Sequence, residues 1–157
     1  TPGTSPSEGK NKRSSVNTVI PGRLYQRAQI FTWSREVKAR AFHQWGVKSV
    51  INFWPKVDPD LADLGLDWYW QISCPRSEQM LYEHVVKAAE AVASYLTLKD
   101  TSTLVLCEAG RTRSSFFCIL VFAILNNCGY VQAQSKVTQL IPGISLKGFM
   151  MDWLKEN

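Results

Sequence analysis

The chain has 157 residues, is 45% hydrophobic and 20% charged, and carries a formal net charge of +5. That length supports one compact domain and is short for two, and the composition is ordinary for a soluble globular protein. The longest unbroken apolar run, residues 116–125, spans ten positions, about half of what a membrane span needs, so it is expected to be a buried helix.

Residues 1–16 are rich in Ser, Thr, Gly, Pro and Lys without apolar periodicity and are expected to form a disordered arm, with a single domain over 17–157. Order is expected to begin near "VNTVIPGRLYQ". A helix follows over 34–46, capped by Ser34, with Val37, Ala41 and Trp45 on one face and Gly46 at its end. "VKSVINFW" is a β-branched run between a glycine and a proline and predicts a buried strand. "PKVDPDLADLG" predicts a loop and "LDWYWQIS" a second strand. The spacing of Leu81, Val85, Ala88, Val92 and Leu96 predicts a long amphipathic helix with Ser77 at its N-cap. "TSTLVLC" predicts a third buried strand, "RSSFFCILVFAILNN" the helix leaving it, and two shorter helices over 131–140 and 146–155 close the chain. Strands alternating with helices predict an α/β domain whose mostly parallel sheet is flanked by helices. Ligands of such sheets bind beyond the carboxyl ends of the strands, where Cys107 falls.

The segment "LVLCEAGRTRSS" places Cys107 at the end of a strand, six positions before Arg113, with Gly110 between and Ser114 after. Successive N–H groups in the tight loop Glu108, Ala109, Gly110, Arg111, Thr112 form an anion-binding nest, reinforced by the helix start beyond it. Thiolate is favoured in such a setting and beside arginine. Arg113 can grip two oxygens of a phosphate, and Ser114 can donate to the sulfur. These parts fit a nucleophile aimed at a tetrahedral oxyanion.

"CEAGRTRSS" resembles the signature loop of the cysteine-dependent protein tyrosine phosphatase superfamily, dual-specificity branch. "PGRLYQRAQ", "WGVKSVINFW" and "YWQIS" resemble, in order, the opening segments of its compact atypical members. The resemblance implies Cys107 as nucleophile, Arg113 as phosphate clamp, Ser114 as the hydroxyl that helps release the sulfur, and a two-step, metal-independent hydrolysis through a cysteinyl-phosphate. It implies no cofactor and no metal.

Two departures accompany it. Leu106 stands where the family usually has histidine, which leaves the loop and Arg113 to favour the thiolate. The loop "CPRSEQ" lacks the family's aspartate, so Glu78 is the candidate general acid there, with Asp58 or Asp60 of "WPKVDPD" as alternatives from a neighbouring strand end. Arg111 could bind a second phosphate or balance Glu108, and Arg76 is expected at the same mouth. Cys74 could pair with Cys107 in a protective disulfide or stay a buried thiol, and Trp54 could flank the entrance.

The expected protein is therefore a monomeric, cytoplasmic phosphatase acting on a phosphoprotein, inositol phosphate or phosphoinositide, with RNA 5′-phosphate less favoured. The net charge favours anionic partners without separating these. A pseudo-phosphatase that binds phosphorylated ligands is the alternative from a different class, favoured by Leu106 and the missing aspartate. A rhodanese-like sulfur transferase or a cysteine-based arsenate reductase would also want a thiolate in such a loop, but Gly110 and Ser114 favour the phosphatase.

Overall fold

The computed structural model describes residues 15–74 and 76–157, so the expected arm lies almost wholly outside the described residues. Two short antiparallel strands, β1 (Asn17–Ile20) and β2 (Leu24–Ala28), open the fold around a turn at Pro21 and Gly22. Helix α1 (Arg35–Trp45) follows, with Ser34 Oγ accepting from Val37 N–H and Gly46 in the left-handed region, as its sequence predicts. Strand β3 (Val47–Asn52) leads through a 3₁₀ turn (Pro59–Asp63) to β4 (Trp68–Gln71). Helix α2 (Tyr82–Leu98), strand β5 (Ser102–Cys107) and helices α3 (Arg113–Asn126), α4 (Tyr130–Leu140) and α5 (Gly148–Glu156) complete it.

The strand order is β1-β2-β5-β3-β4, with every pair parallel except β1–β2. β5 is therefore central, and every residue of it is buried. Residues of β3 and β5, Val50, Leu104 and Leu106 among them, pack with Ala41 and Phe42 of α1. Ile51, Val105 and Cys107 join a second cluster with α2 and α3. Covering both faces explains why β5 is buried throughout and β3 everywhere except Lys48, with no alternation of buried and exposed residues. α3 is buried along almost its whole length, in keeping with its unbroken apolar sequence.

Three departures from the sequence expectation matter for the site. β1 and β2 add two strands to the three expected. The predicted loop 55–65 contains the 3₁₀ turn, capped by Asp58 accepting from Asp60 N–H. Ser77 does not cap α2: it opens a separate 3₁₀ turn (Ser77–Gln79), and α2 begins three residues later, after extended Met80 and Leu81.

Candidate active site

β5 delivers Cys107 to the carboxyl end of the sheet, beside Ala28 of β2 and next to the pair Asn52–Leu106 formed with β3. The chain then turns through residues 108–112 into α3. Gly110 sits in the left-handed region at φ 71°, and a Cβ there would lie 2.6 Å from the Ala28 nitrogen and 2.8 Å from the Arg27 carbonyl carbon. Both backbone shape and close approach therefore demand glycine.

The carbonyls of this loop are tied down from outside. Glu108 O accepts from Gln29 N–H (3.4 Å), Gly110 O from Gln26 Nε2 (2.6 Å), Arg111 O from Ser145 N–H (2.9 Å) and Thr112 O from Phe116 N–H (2.9 Å). In a trans peptide the following N–H points the opposite way. Anchoring these carbonyls thus turns the N–H groups of Ala109, Arg111, Thr112 and Arg113 away from their anchors, and the loop borders a pocket of about 230 Å³. Cys107, Glu108, Ala109, Arg111, Thr112 and Arg113 line that pocket. The result is an anion-binding nest at a helix start.

Ser114 is fully buried, with its Oγ 3.0 Å from Cys107 Sγ. Gln26 Nε2 donates to the same Oγ at 2.6 Å, and its bond to Gly110 O fixes which end of the amide faces the loop. With its oxygen accepting from Gln26, the hydroxyl has its proton to offer the sulfur. Gln26 is a site residue that sequence reasoning missed. Its signal was the period-2 pairing with Leu24, both fully buried on one face of β2.

Arg113 is 7% exposed, and its Nη1 donates to Phe53 O (3.3 Å) and Cys74 O. The residues following β3 and β4 thus aim its guanidinium. Its nearest carboxylate is exposed Glu108, 3.9 Å away. Leu106 points to the opposite side of the sheet, packed with the α1 cluster at 2% exposure.

Glu78 and Arg76 both line the pocket from the loop after β4. Asp58 and Asp60 do not. Both pair with buried Lys38, whose Nζ lies 2.8 Å from Asp58 Oδ2 and 2.8 Å from Asp60 Oδ2. That ion cluster holds the 3₁₀ turn to α1, and neither aspartate is among the residues lining the pocket. Trp54 does not flank the pocket either; it packs edge-on against Phe31 at 5.5 Å, beneath Lys56. Arg111 lines the pocket without an ion pair to Glu108 among the described residues. Lys147, from the segment before α5, also lines it and was not foreseen.

Cys74 and Cys107 are both free thiols. Burial pushes the Cys74 thiol up, partly offset by nearby Arg113, and its Sγ donates to Arg76 O at 3.0 Å. Cys74 also lines a small apolar cavity of about 170 Å³ with Phe53, Met80 and His84. His43 is exposed on α1 and His84 on α2, and neither lines the pocket. Among the described residues no group of His, Cys, Asp or Glu is arranged to hold a metal ion, and no single helix is long and apolar enough to cross a membrane.

The architecture matches solved structures. PTPMT1 in complex with PI(5)P shares 15% identity and a TM-score of 0.75, covering 90% of this chain and 92% of that one. A mouse putative dual specificity phosphatase complexed with zinc tungstate gives 16% and 0.74, over 99% and 91%. Human DUSP28 gives 18% and 0.69, over 90% of each chain. No protein-family model and no curated protein matches the sequence. At such identities the likeness carries the fold, and the chain has the fold of the dual-specificity phosphatases.

Proposed function

We propose that the chain hydrolyses phosphate monoesters through a cysteinyl-phosphate, on a phosphoprotein, inositol phosphate or phosphoinositide. The observation that carries this reading is Cys107 Sγ at 3.0 Å from Ser114 Oγ, at the floor of a pocket rimmed by loop N–H groups and Arg113. In the first step the Cys107 thiolate attacks phosphorus and the P–O bond to the leaving group breaks. Glu78 gives its proton to the departing oxygen. The N–H groups and Arg113 hold the three remaining oxygens, where charge accumulates in the transition state. In the second step water attacks the phosphocysteine, Glu78 takes a proton from it, and the sulfur leaves as thiolate, stabilised by the Ser114 hydroxyl. The cycle returns every group to its starting state.

Without the usual histidine before the cysteine, Ser114 and the loop carry the stabilisation of the thiolate, and lower activity than in relatives with that histidine is expected. The fold's occurrence in PTPMT1 bound to PI(5)P supports a phosphoinositide or inositol phosphate among the candidate substrates. Four free thiols support a reducing, cytoplasmic setting. The pseudo-phosphatase reading is favoured by one observation: Glu78 is exposed in a short 3₁₀ turn that lacks a side-chain cap.

Turnover of p-nitrophenyl phosphate by the wild type, inhibited by vanadate and abolished by Cys107→Ser, is the expected result. Hydrolysis undiminished in Cys107→Ser would reject the proposal.

A further inference from the structure

The pocket holds more positive charge than one phosphate uses. Arg76, Arg111, Arg113 and Lys147 face it, against the carboxylates of Glu78 and Glu108, and Glu108 already lies near Arg113. Arg76, Arg111 and Lys147 are exposed, and none of the three is ion-paired among the described residues. Like charges gathered in one concavity repel each other and focus a positive potential that an anion relieves.

The fold holds this cluster in place. Ser145 N–H donates to Arg111 O at 2.9 Å, and Thr112 Oγ donates to Ser145 O at 2.8 Å. These two bonds fasten the segment between α4 and α5 to the signature loop and bring Lys147, the residue before α5, to the pocket rim beside Arg111. Arg76 reaches the same pocket from the loop after β4.

We infer that Arg111 and Lys147, with Arg76, form a second anion subsite that selects substrates carrying a further phosphate close to the scissile one on a compact scaffold, such as a multiply phosphorylated ring. Arg111 offers a planar fork and Lys147 a point charge, so together they suit a tetrahedral oxyanion. All the cations converge on one cavity of about 230 Å³, which suits a compact ring better than an extended peptide. The ring can be free or a lipid headgroup; the chemistry is the same. The inference rests on the phosphatase reading for the position of the scissile phosphate.

Binding to the full chain carrying Cys107→Ser tests it without turnover. Calorimetry should show inositol 4,5-bisphosphate binding about ten-fold more tightly than inositol 4-phosphate. Adding Lys147→Ala or Arg111→Ala should shrink that ratio roughly three- to ten-fold, a range that allows for solvent screening of exposed cations. Phosphatidylcholine vesicles bearing the same two headgroups distinguish the sources. The same preference on vesicles assigns a lipid substrate, and preference confined to solution assigns a free one.

Equal affinity for the two inositol phosphates would overturn the inference. So would a ratio unchanged by both substitutions, or tighter binding of a doubly phosphorylated peptide than of the bisphosphate. The two readings fail separately. Wild type that turns over p-nitrophenyl phosphate but shows a flat ratio loses only the second subsite. Bisphosphate preference without Cys107-dependent turnover rejects only the catalytic reading.

Discussion

Among the described residues two cations are buried, and their surroundings are opposite. Lys38 is 1% exposed and is neutralised by Asp58 and Asp60. Arg113 is 7% exposed, yet its close partners are two neutral carbonyls, Phe53 O and Cys74 O. Its one carboxylate neighbour within 4 Å among the described residues is Glu108, 3.9 Å away and mostly in solvent. Carbonyls orient a guanidinium and satisfy its donors without cancelling its charge. Burying a charge in that state is costly unless something anionic completes it. Lys38 is thus a structural ion pair, whereas Arg113 is the buried cation that, in the proposed function, the substrate phosphate completes.

The largest expected effect is on the Lys38 side. Lys38→Ala leaves two carboxylates facing each other, Asp58 among them almost fully buried, and should cost about 3–5 kcal/mol in urea unfolding. Activity per folded molecule should be unchanged. A stable variant would mean that the cluster is not the clamp described here.

Next in size is the proton donor, which would break the comparison if Asp58 or Asp60 supplied it. Glu78→Gln should slow alkyl phosphates by about 10²–10⁴-fold while sparing activated aryl phosphates. Asp58→Asn and Asp60→Asn should lower stability without any leaving-group dependence. The reverse pattern would assign the acid to the Lys38 cluster.

Arg113→Lys sharpens the contrast from the other side. It keeps the charge and loses the planar fork, so binding and rate should each fall about ten-fold or more, for a contact of about 1.5–3 kcal/mol. Near-native kinetics would place Arg113 outside the phosphate site.

The smallest effect comes from buried groups that stay neutral. Burial holds Cys118 well above the ordinary thiol value of 9.0 and pushes Cys74, Tyr82, Tyr95 and Tyr130 up as well. The folded chain therefore keeps protons that the unfolded chain releases. Their contribution is complete below the unfolded values and is lost as pH rises through the raised folded ones. The urea midpoint should fall as pH climbs past about 9, and Cys118→Ala should flatten part of that slope. A midpoint independent of alkaline pH would contradict it.

The signature loop was legible because its requirements are local: a strand end, a glycine, a fixed spacing and a helix start. β5 and α3 were legible because burial on every side leaves the apolar stretches 104–107 and 116–125, and β3 because its β-branched residues lie between a glycine and a proline. β2 was not, because "LYQRA" mixes Arg27 with Gln26, whose buried side chain donates to Gly110 O and Ser114 Oγ and accepts from Asn17 Nδ2. Ser77 looked like a cap for α2 because capping chemistry suits any helix start, but it opens a separate 3₁₀ turn that borders the pocket. Nothing local marks Lys38 as buried, since its partners Asp58 and Asp60 come from a loop some twenty residues on. Lys147 had no local signal: the bonds that place it run from Ser145 to Arg111 and Thr112.

The central claim, that Cys107 carries the phosphoryl group while Arg113 holds it, is tested most directly by trapping the intermediate. Wild-type protein mixed with p-nitrophenyl phosphate, quenched in acid within one turnover and digested, should give one phosphorylated peptide, with the phosphoryl group on Cys107. Arg113→Lys should accumulate it more slowly. Turnover that leaves Cys107 unmodified, or a phosphoryl group found on another residue, would contradict the account.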